Sequence, residues 1–456
     1  MSLNQRRLLY IIFIAIFFVI TPIILFYAAG YNFNINNGAV ERTGILIIKT
    51  DPKSALVDLG ETKKFNWLYD FFYKGKVLST PLKLRNLLPD KYELTITKDG
   101  YFDYHKQIEL LPGHTVVLDD ILLLKKSEPQ IVISDNILQS KISPTKNKLA
   151  LVTDKNLVIV DLNTTKKITI PLDEPYLSEK KFDIFWSENG KKIILTTDNL
   201  PVYNIDSLKK ELDLKEYLPN EPEVVHWNAD GDNVIFVLKN NILWQMNIMQ
   251  KNATVISLPL SVGANIKDLS IKNNIFYVLE ELSDSVYLNA YNNISHELMQ
   301  KIFLPYSHDY QFVNINSNMI YLQDSKFNLI YIIDPLSIVP IREILNNTRD
   351  FSVTDNSIIY WNDFEIWSYN FNDKNKQLLI RISDKIDQVL SNENYIIYNT
   401  AKGIKSFERE DYYYYNMTDI LNWEGTEKFL LNSDTDLIYF ISWLDKKRAL
   451  YALGIK

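Results

Sequence analysis

Between Ser143 and Lys456 the chain repeats one phrase eight times: a polar turn, a short apolar strand, another turn, and a second apolar strand ending in Asp or Asn. The second strands align on Ala150, Ile194, Ile235, Phe276, Ile320, Ile359, Ile397 and Ile438, so the steps are 44, 41, 41, 44, 39, 38 and 41 residues. That spacing matches the roughly 40–45 residues of a four-stranded β-propeller blade. It predicts an all-β ring, because no blade can bury both of its faces alone and each must be covered by its neighbours.

Third strands follow in every repeat, from Leu157–Asp161 to Ala449–Ile455, and fourth strands in the first seven, among them Leu212–Leu218, Thr254–Leu260 and Tyr412–Ile420. The chain stops before an eighth fourth strand, while an unused strand, Gln130–Ser134, precedes the first repeat. A ring closes without an open edge when one blade takes strands from both ends of the domain. Eight blades are therefore expected, with seven as the alternative.

The clearest copies of the phrase are Trp186-Ser187-Glu188-Asn189-Gly190-Lys191 and Trp227-Asn228-Ala229-Asp230-Gly231-Asp232, with Ser143-Pro144-Thr145-Lys146 a weaker third. Asn-Gly and Asp-Gly supply the positive φ of a tight hairpin, and the two Trp are expected in the core between blades. These phrases resemble the Trp-Ser-Pro-Asp-Gly-Lys repeat of the TolB family's propeller. The resemblance implies the fold and leaves function open.

From Leu8 to Ala29 the sequence runs 22 residues without a charge, long enough to cross roughly 30 Å of hydrocarbon as a helix. Secretory signal cores are shorter and end in a small-x-small site; here Phe26-Tyr27-Ala28-Ala29 offers a bulky residue where a small one is needed. An uncleaved anchor is expected. Arg6 and Arg7 precede the span and residues 31–40 carry no charge, so the positive-inside bias keeps the N-terminus in the cytoplasm and everything after Gly30 outside. A net charge of -7 without a basic face argues against nucleic acid as a partner, and zero Cys agrees with an extracytoplasmic position.

After the anchor, residues 44–124 read as short strands bounded by Pro, Gly and Asp, with alternation clean in Tyr92-Leu94-Ile96 and Ile108-Leu110. Pro52-Lys53-Ser54-Ala55, Thr80-Pro81, Pro89-Asp90-Lys91-Tyr92 and Lys98-Asp99-Gly100-Tyr101 resemble the signature of the PEGA domain, a small sandwich module of envelope proteins. The resemblance implies a β-sandwich spacer and no catalytic role. Lys53-Ser54 and Asp90 depart from the family pattern, and an aromatic insertion from Glu61 to Ser79 brings Trp67, Tyr69, Phe71, Phe72 and Tyr73. The expected organisation is a cytoplasmic N-terminus at 1–7, an anchor at 8–29, a linker at 30–43, the PEGA-like sandwich at 44–124, a second linker at 125–129 and the propeller at 130–456.

No reaction motif stands out. The five His are scattered without a His-Glu-x-x-His, and Gly-x-Ser-x-Gly and the P-loop are absent. Asn228 to Asn233 alternates oxygen ligands around a Gly but lacks the Glu that completes a calcium loop, so it reads as a hairpin turn. The expectation is no metal, no cofactor and no enzyme, but a membrane-anchored binding or scaffold protein holding an envelope protein or cell-wall polymer. Recognition would fall on the loops joining second to third strands, which should share one face: Asp154, Lys155 and Asn156; Lys239, Asn240 and Asn241; Asp324 and Lys326; Asp445 and Lys446. Tyr412 and Tyr414, which share one side of an outer strand, are further candidates. The rival reading is an extracytoplasmic enzyme with a pocket at the propeller channel. Carboxylates or His converging at one channel mouth favour the enzyme; a broad apolar or aromatic face favours binding.

Overall fold

The structure is a computed structural model describing all residues except 1–2, 35–37, 61–75, 173–181, 219–221, 229–230, 308, 314–316, 355, 393, 410–415 and 433. The aromatic insertion and Tyr412 to Tyr415 lie largely or wholly outside the described residues. The apolar run forms one helix, Leu3–Ala28, whose exposed apolar surface continues through Pro22. At its end Gly30 takes a φ of +81°, a conformation glycine accepts at no steric cost. Instead of a slack linker, the next residues pair as a hairpin, Tyr31–Asn34 with Ala39–Arg42. Thr43 then ties the exit of the helix down, donating from N and Oγ1 to the Gly30 carbonyl at 2.8 and 2.9 Å.

The small domain is two sheets around one core. Leu82–Leu87, Gly44–Asp51 and Thr115–Leu122 form the first, the latter two running parallel; Leu78–Ser79, Leu56–Asp58, Asp90–Thr97 and Tyr104–Leu110 form the second. Period-two alternation turns Tyr92, Leu94 and Ile96 inward against Leu46, Ile48 and Leu84. Thr80 of the Thr-Pro pair is buried and joins neighbouring turns, meeting Thr50 Oγ1 at 2.6 Å and accepting from Ala55 N at 3.1 Å.

Eight four-stranded antiparallel sheets follow, so the ring has eight blades. Blade 1 runs from Ile137 to Pro171, blade 2 from Ile184 to Asp213, blade 3 from Val224 to Ile256 and blade 4 from Asn265 to Leu304. Blade 5 runs from Tyr310 to Leu345, blade 6 from Asp350 to Arg381 and blade 7 from Ile386 to Leu421. Blade 8 takes Glu427–Asn432, Leu437–Leu444 and Lys447–Gly454, and its outermost strand is Gln130–Ile133 from the start of the domain. All eight alignment residues sit in second strands and are essentially inaccessible. Each large apolar side chain so buried contributes roughly 1.5–3 kcal/mol.

Among the described residues two fourth strands differ from expectation, and the described part of a third, expected at Tyr412–Ile420, is Met417–Leu421. In blade 2 the strand is Lys209–Asp213, followed by a tight helical turn at Leu214–Glu216, and in blade 3 it is Asn252–Ile256. Outer strands are half exposed and polar, so the apolar residues that suggested a strand, Leu214 and Leu218, instead pack beneath the loop.

The Trp phrases act between blades as expected. Trp186 and Trp227 are buried and donate from Nε1 to the Lys141 and Phe185 carbonyls on the preceding inner strands, at 3.0 and 3.2 Å. Lysines reach the other way: Lys148 Nζ, at the start of blade 1's second strand, donates to the Gly190 carbonyl at 3.3 Å, and Lys272 Nζ, at the end of blade 4's first strand, to that of Met319 at 3.2 Å. At the stretch read as a hairpin turn, Asn228 N donates to the Val234 carbonyl at 2.9 Å; Ala229 and Asp230 lie outside the described residues.

Candidate binding face

A meander of four strands places its first and third turns on one face of the ring, and its second turn and the link to the next blade on the other. Backbone hydrogen bonds stitch each set together. On one face Ile205 N donates to the Lys191 carbonyl and Ile248 N to that of Asn233; on the other Leu172 N donates to Lys155, Thr348 N to Asn328 and Ile382 N to Phe364.

The small sandwich covers part of the first face at blades 7 and 8. Lys106 Nζ lies 2.9 Å from Glu408 Oε2, with side chains only 5% and 9% exposed. His105 N donates to Asn416 Oδ1 at 3.0 Å, Tyr395 OH donates to the Leu122 carbonyl, and Lys125 N donates to that of Ile455 at 2.9 Å. Leu122, Leu124 and Phe102 join the core of the last two blades. Lys125 and Lys126 are therefore fixed between the domains, Lys126 N donating to the Gly100 carbonyl at 2.8 Å. We call this side the docked face and the opposite side the open face.

All described loop residues singled out from the sequence lie at the open face. Much of their identity is explained by turn geometry: Asn240 and Asn241 have φ of 48° and 61°, and Asp445 and Lys446 of 46° and 67°, the paired positive values of a two-residue hairpin. Asn241 also accepts from Ile266 N at 2.8 Å, and Lys239 Nζ lies 3.7 Å from Glu223. Asp154 accepts from Asn136 Nδ2 at 3.2 Å, Lys155 accepts through its carbonyl, and Asn156 N donates to Thr153 Oγ1 at 3.1 Å. Asp324 is buried, accepting from Ser307 Oγ at 3.0 Å and Lys326 N at 3.1 Å, so its carboxylate shapes the turn rather than meeting solvent. Lys326 Nζ sits 5.3 Å from the centre of the exposed Phe327 ring.

On the open face an open cleft of about 750 Å³ lies between blades 5 and 7. Arg349, from the link between blades 5 and 6, donates Nη1 to Asp363 Oδ1 at 2.7 Å and Nη2 to the Asp387 carbonyl at 2.5 Å. Arg381 donates Nε to Glu365 Oε1 at 2.7 Å, while Trp367 Nε1 donates to Glu365 Oε2 at 3.1 Å. The Arg349 hydrogen bond holds the Asp363 carboxyl below its usual range, and the Trp367 donor, followed by Arg381, does the same for Glu365. Such carboxylates stay ionised and accept hydrogen bonds; they are poor proton donors. Phe364 stands exposed between them. Phe364, Phe327, Trp443 and Tyr306 give this face an aromatic character.

Sequence reasoning named the loop class but not this cleft. Asn362 to Glu365 is itself a second-to-third-strand turn, which the repeat alignment locates. Arg381 ends the fourth strand of blade 6, and Arg349 comes from the link between blades 5 and 6, where no repeat signal marks it.

At the axis, His226 Nε2 and Asp268 Oδ1 on neighbouring inner strands are 3.8 Å apart, beyond hydrogen-bonding distance, and Asp268 Oδ2 accepts from Phe312 N at 2.9 Å. Burial pushes the nearby Lys272 ammonium down to about 8. Among the described residues, no group of three or more His, Asp or Glu could hold a metal ion.

Residues 43–123 match the PEGA domain. No curated protein matches the chain. Among solved structures the chain is similar to the Dos1 propeller, with a TM-score of 0.50 at 13% identity over 73% of this chain and 96% of that one. Saccharomyces cerevisiae Sqt1 gives a TM-score of 0.47 at 10% identity over 72% and 99%. Porphyromonas gingivalis dipeptidyl peptidase 4 gives 0.49 at 11% identity over 69% of this chain, which spans 56% of that protein's length. The likeness is one of fold.

Proposed function

We propose that this chain is a membrane-anchored, extracytoplasmic binding or scaffold protein, whose open propeller face holds an envelope protein or cell-wall polymer without turning it over. The observation that carries this reading is the division of the two faces. The PEGA domain, joined to an apolar helix of 26 residues, occupies the docked face through a buried ion pair, which leaves the aromatic open face and its polar cleft turned away from the anchor. Arg6 and Arg7 before the helix support an inside N-terminus, and the TolB-like repeat phrases together with the PEGA match support an envelope setting. The paired charges of the cleft supply directional hydrogen bonding, and Phe364 supplies a flat contact, the combination that binding surfaces use.

The test is capture of the partner from crosslinked envelopes by the full chain, repeated with Arg349→Ala, with Phe364→Ala, and with the turns at 154–156, 239–241 and 445–446 exchanged in groups. Capture should fall while the melting temperature stays near that of the parent. Turnover by the purified protein in a broad hydrolase and oxidoreductase panel, abolished by a change at His226 or Asp268, would replace this reading with that of an enzyme at the channel.

A further inference from the structure

The docked face carries a second, unassigned surface on the side of the ring away from the PEGA domain. The turns between third and fourth strands of blades 2 to 5 each raise exposed aliphatic side chains: Leu208, Met249, Ile294, and then Leu336, Ile338 and Val339 together, with Ile338 fully exposed. Gln300 Nε2 donates to the Ser337 carbonyl at 3.2 Å, holding the blade 5 turn against the outer strand of blade 4, so the tips of these two blades form one patch. Exposed lysines stand beside it, Lys209 after Leu208 and Lys251 after Met249, and Lys374 occupies the equivalent turn of blade 6. Asp206, Glu297 and Asp373 share these turns, so the rim is mixed in charge, but its projecting tips are aliphatic.

The position of the anchor indicates what covers these tips. The helix enters the PEGA domain at Thr43, next to the start of the strand Gly44–Asp51, and Tyr27 near the helix end accepts from Asn86 Nδ2 at 2.8 Å. The propeller attaches at the other end of that strand, where Asp51 meets Lys456 at 3.1 Å. The docked face is thus the anchor side of the ring, held off by a sandwich whose eight-residue strands span about 26 Å. In an eight-membered ring, blades 3 and 4 lie across the axis from blades 7 and 8.

We infer that the aliphatic turn tips of blades 2 to 5 rest on the lipid bilayer, so that the ring leans from the PEGA domain on one side to the membrane surface on the other. Aliphatic side chains flanked by lysines suit the boundary between headgroups and acyl chains, where apolar burial and attraction to anionic lipid act together. This inference rests on the reading of residues 3–28 as a membrane anchor.

The chain has no Cys, so single labels are clean. Full-length protein in nanodiscs containing phosphatidylglycerol would carry an environment-sensitive fluorophore at Ile294→Cys, Ile338→Cys, Lys446→Cys on the open face, or Phe13→Cys in the helix. The expected result is blue-shifted emission at 294 and 338, quenched several-fold more by nitroxide lipids than at 446, with iodide acting in the opposite order. In a Met249→Cys protein, adding Ile294→Asp and Ile338→Asp should restore iodide access without lowering thermal stability, since both positions are exposed. Lipid quenching at 13 but iodide quenching at 294 and 338 overturns the inference while the anchor stands. Protection at 294 and 338 from both quenchers assigns the patch to a protein and also overturns it. No lipid quenching at 13 removes the anchor, and this inference with it.

Discussion

Lys106 of the PEGA domain and Glu408 of blade 7 face each other at 2.9 Å across the interface, both almost wholly removed from solvent. A buried pair has already lost the hydration of both charges, so deleting one partner takes away compensation that water cannot replace. Lys106→Met or Glu408→Ala alone should cost about 3–5 kcal/mol, whereas Lys106→Met with Glu408→Leu should recover most of that loss. Denaturant unfolding of the three variants checks the cycle; equal and additive losses would show that the pair contributes little coupling. The exposed pair Lys456–Asp51 lies in high dielectric, and its removal should be close to neutral.

Ring closure is the second prediction. Gln130–Ile133 pairs antiparallel with Lys447–Gly454, and Val132 and Ile133 are buried in a core shared with blade 1. Deleting residues 130–134 should expose the edge of blade 8 and produce aggregation visible by light scattering. Ile133→Ala alone should cost about 2–4 kcal/mol.

How far these features could be read in advance depended on burial. Second strands are covered on both sides by neighbouring blades, so their apolar runs stood out, and Ala150 through Ile438 all landed in them. Closure was legible from arithmetic, because one strand was missing at the end and one was spare at the start. The outer strands at Lys209–Asp213 and Asn252–Ile256 were misplaced because a half-exposed strand shows weak alternation, while nearby loop residues are buried. The Arg349–Asp363 cleft was invisible for a different reason: it joins a link between blades to a turn and to the end of an outer strand, and sequence periodicity carries no record of such meetings.

A pH dependence follows from Lys272. Its ammonium titrates at about 8 in the folded protein because burial disfavours the charge, and at 10.5 when unperturbed. Between these values the unfolded chain binds more protons, so this residue's contribution to stability rises as pH increases from about 8 to 10.5. Melting temperatures of the parent and Lys272→Met across that window should converge or cross in favour of the parent as pH rises. Parallel curves would mean that Lys272 is solvated in solution.

Orientation is open to a direct readout. Alkaline phosphatase fused after Lys456 should be active and green fluorescent protein at the same place dark, the outcome expected from the positive-inside bias of Arg6 and Arg7. The reverse pattern would put both propeller faces in the cytoplasm and end the envelope reading.

The central claim, that a partner engages the open face of a tethered propeller, is best tested by photo-crosslinking in intact cells. A photoreactive residue in place of Phe364, in the cleft, or of Lys446, on the far side of the same face, should yield a discrete adduct with protein or wall polymer. One in place of Ile294 on the docked face should not. Adducts from 294 with none from 364 or 446 would contradict the account and move recognition to the anchor side of the ring.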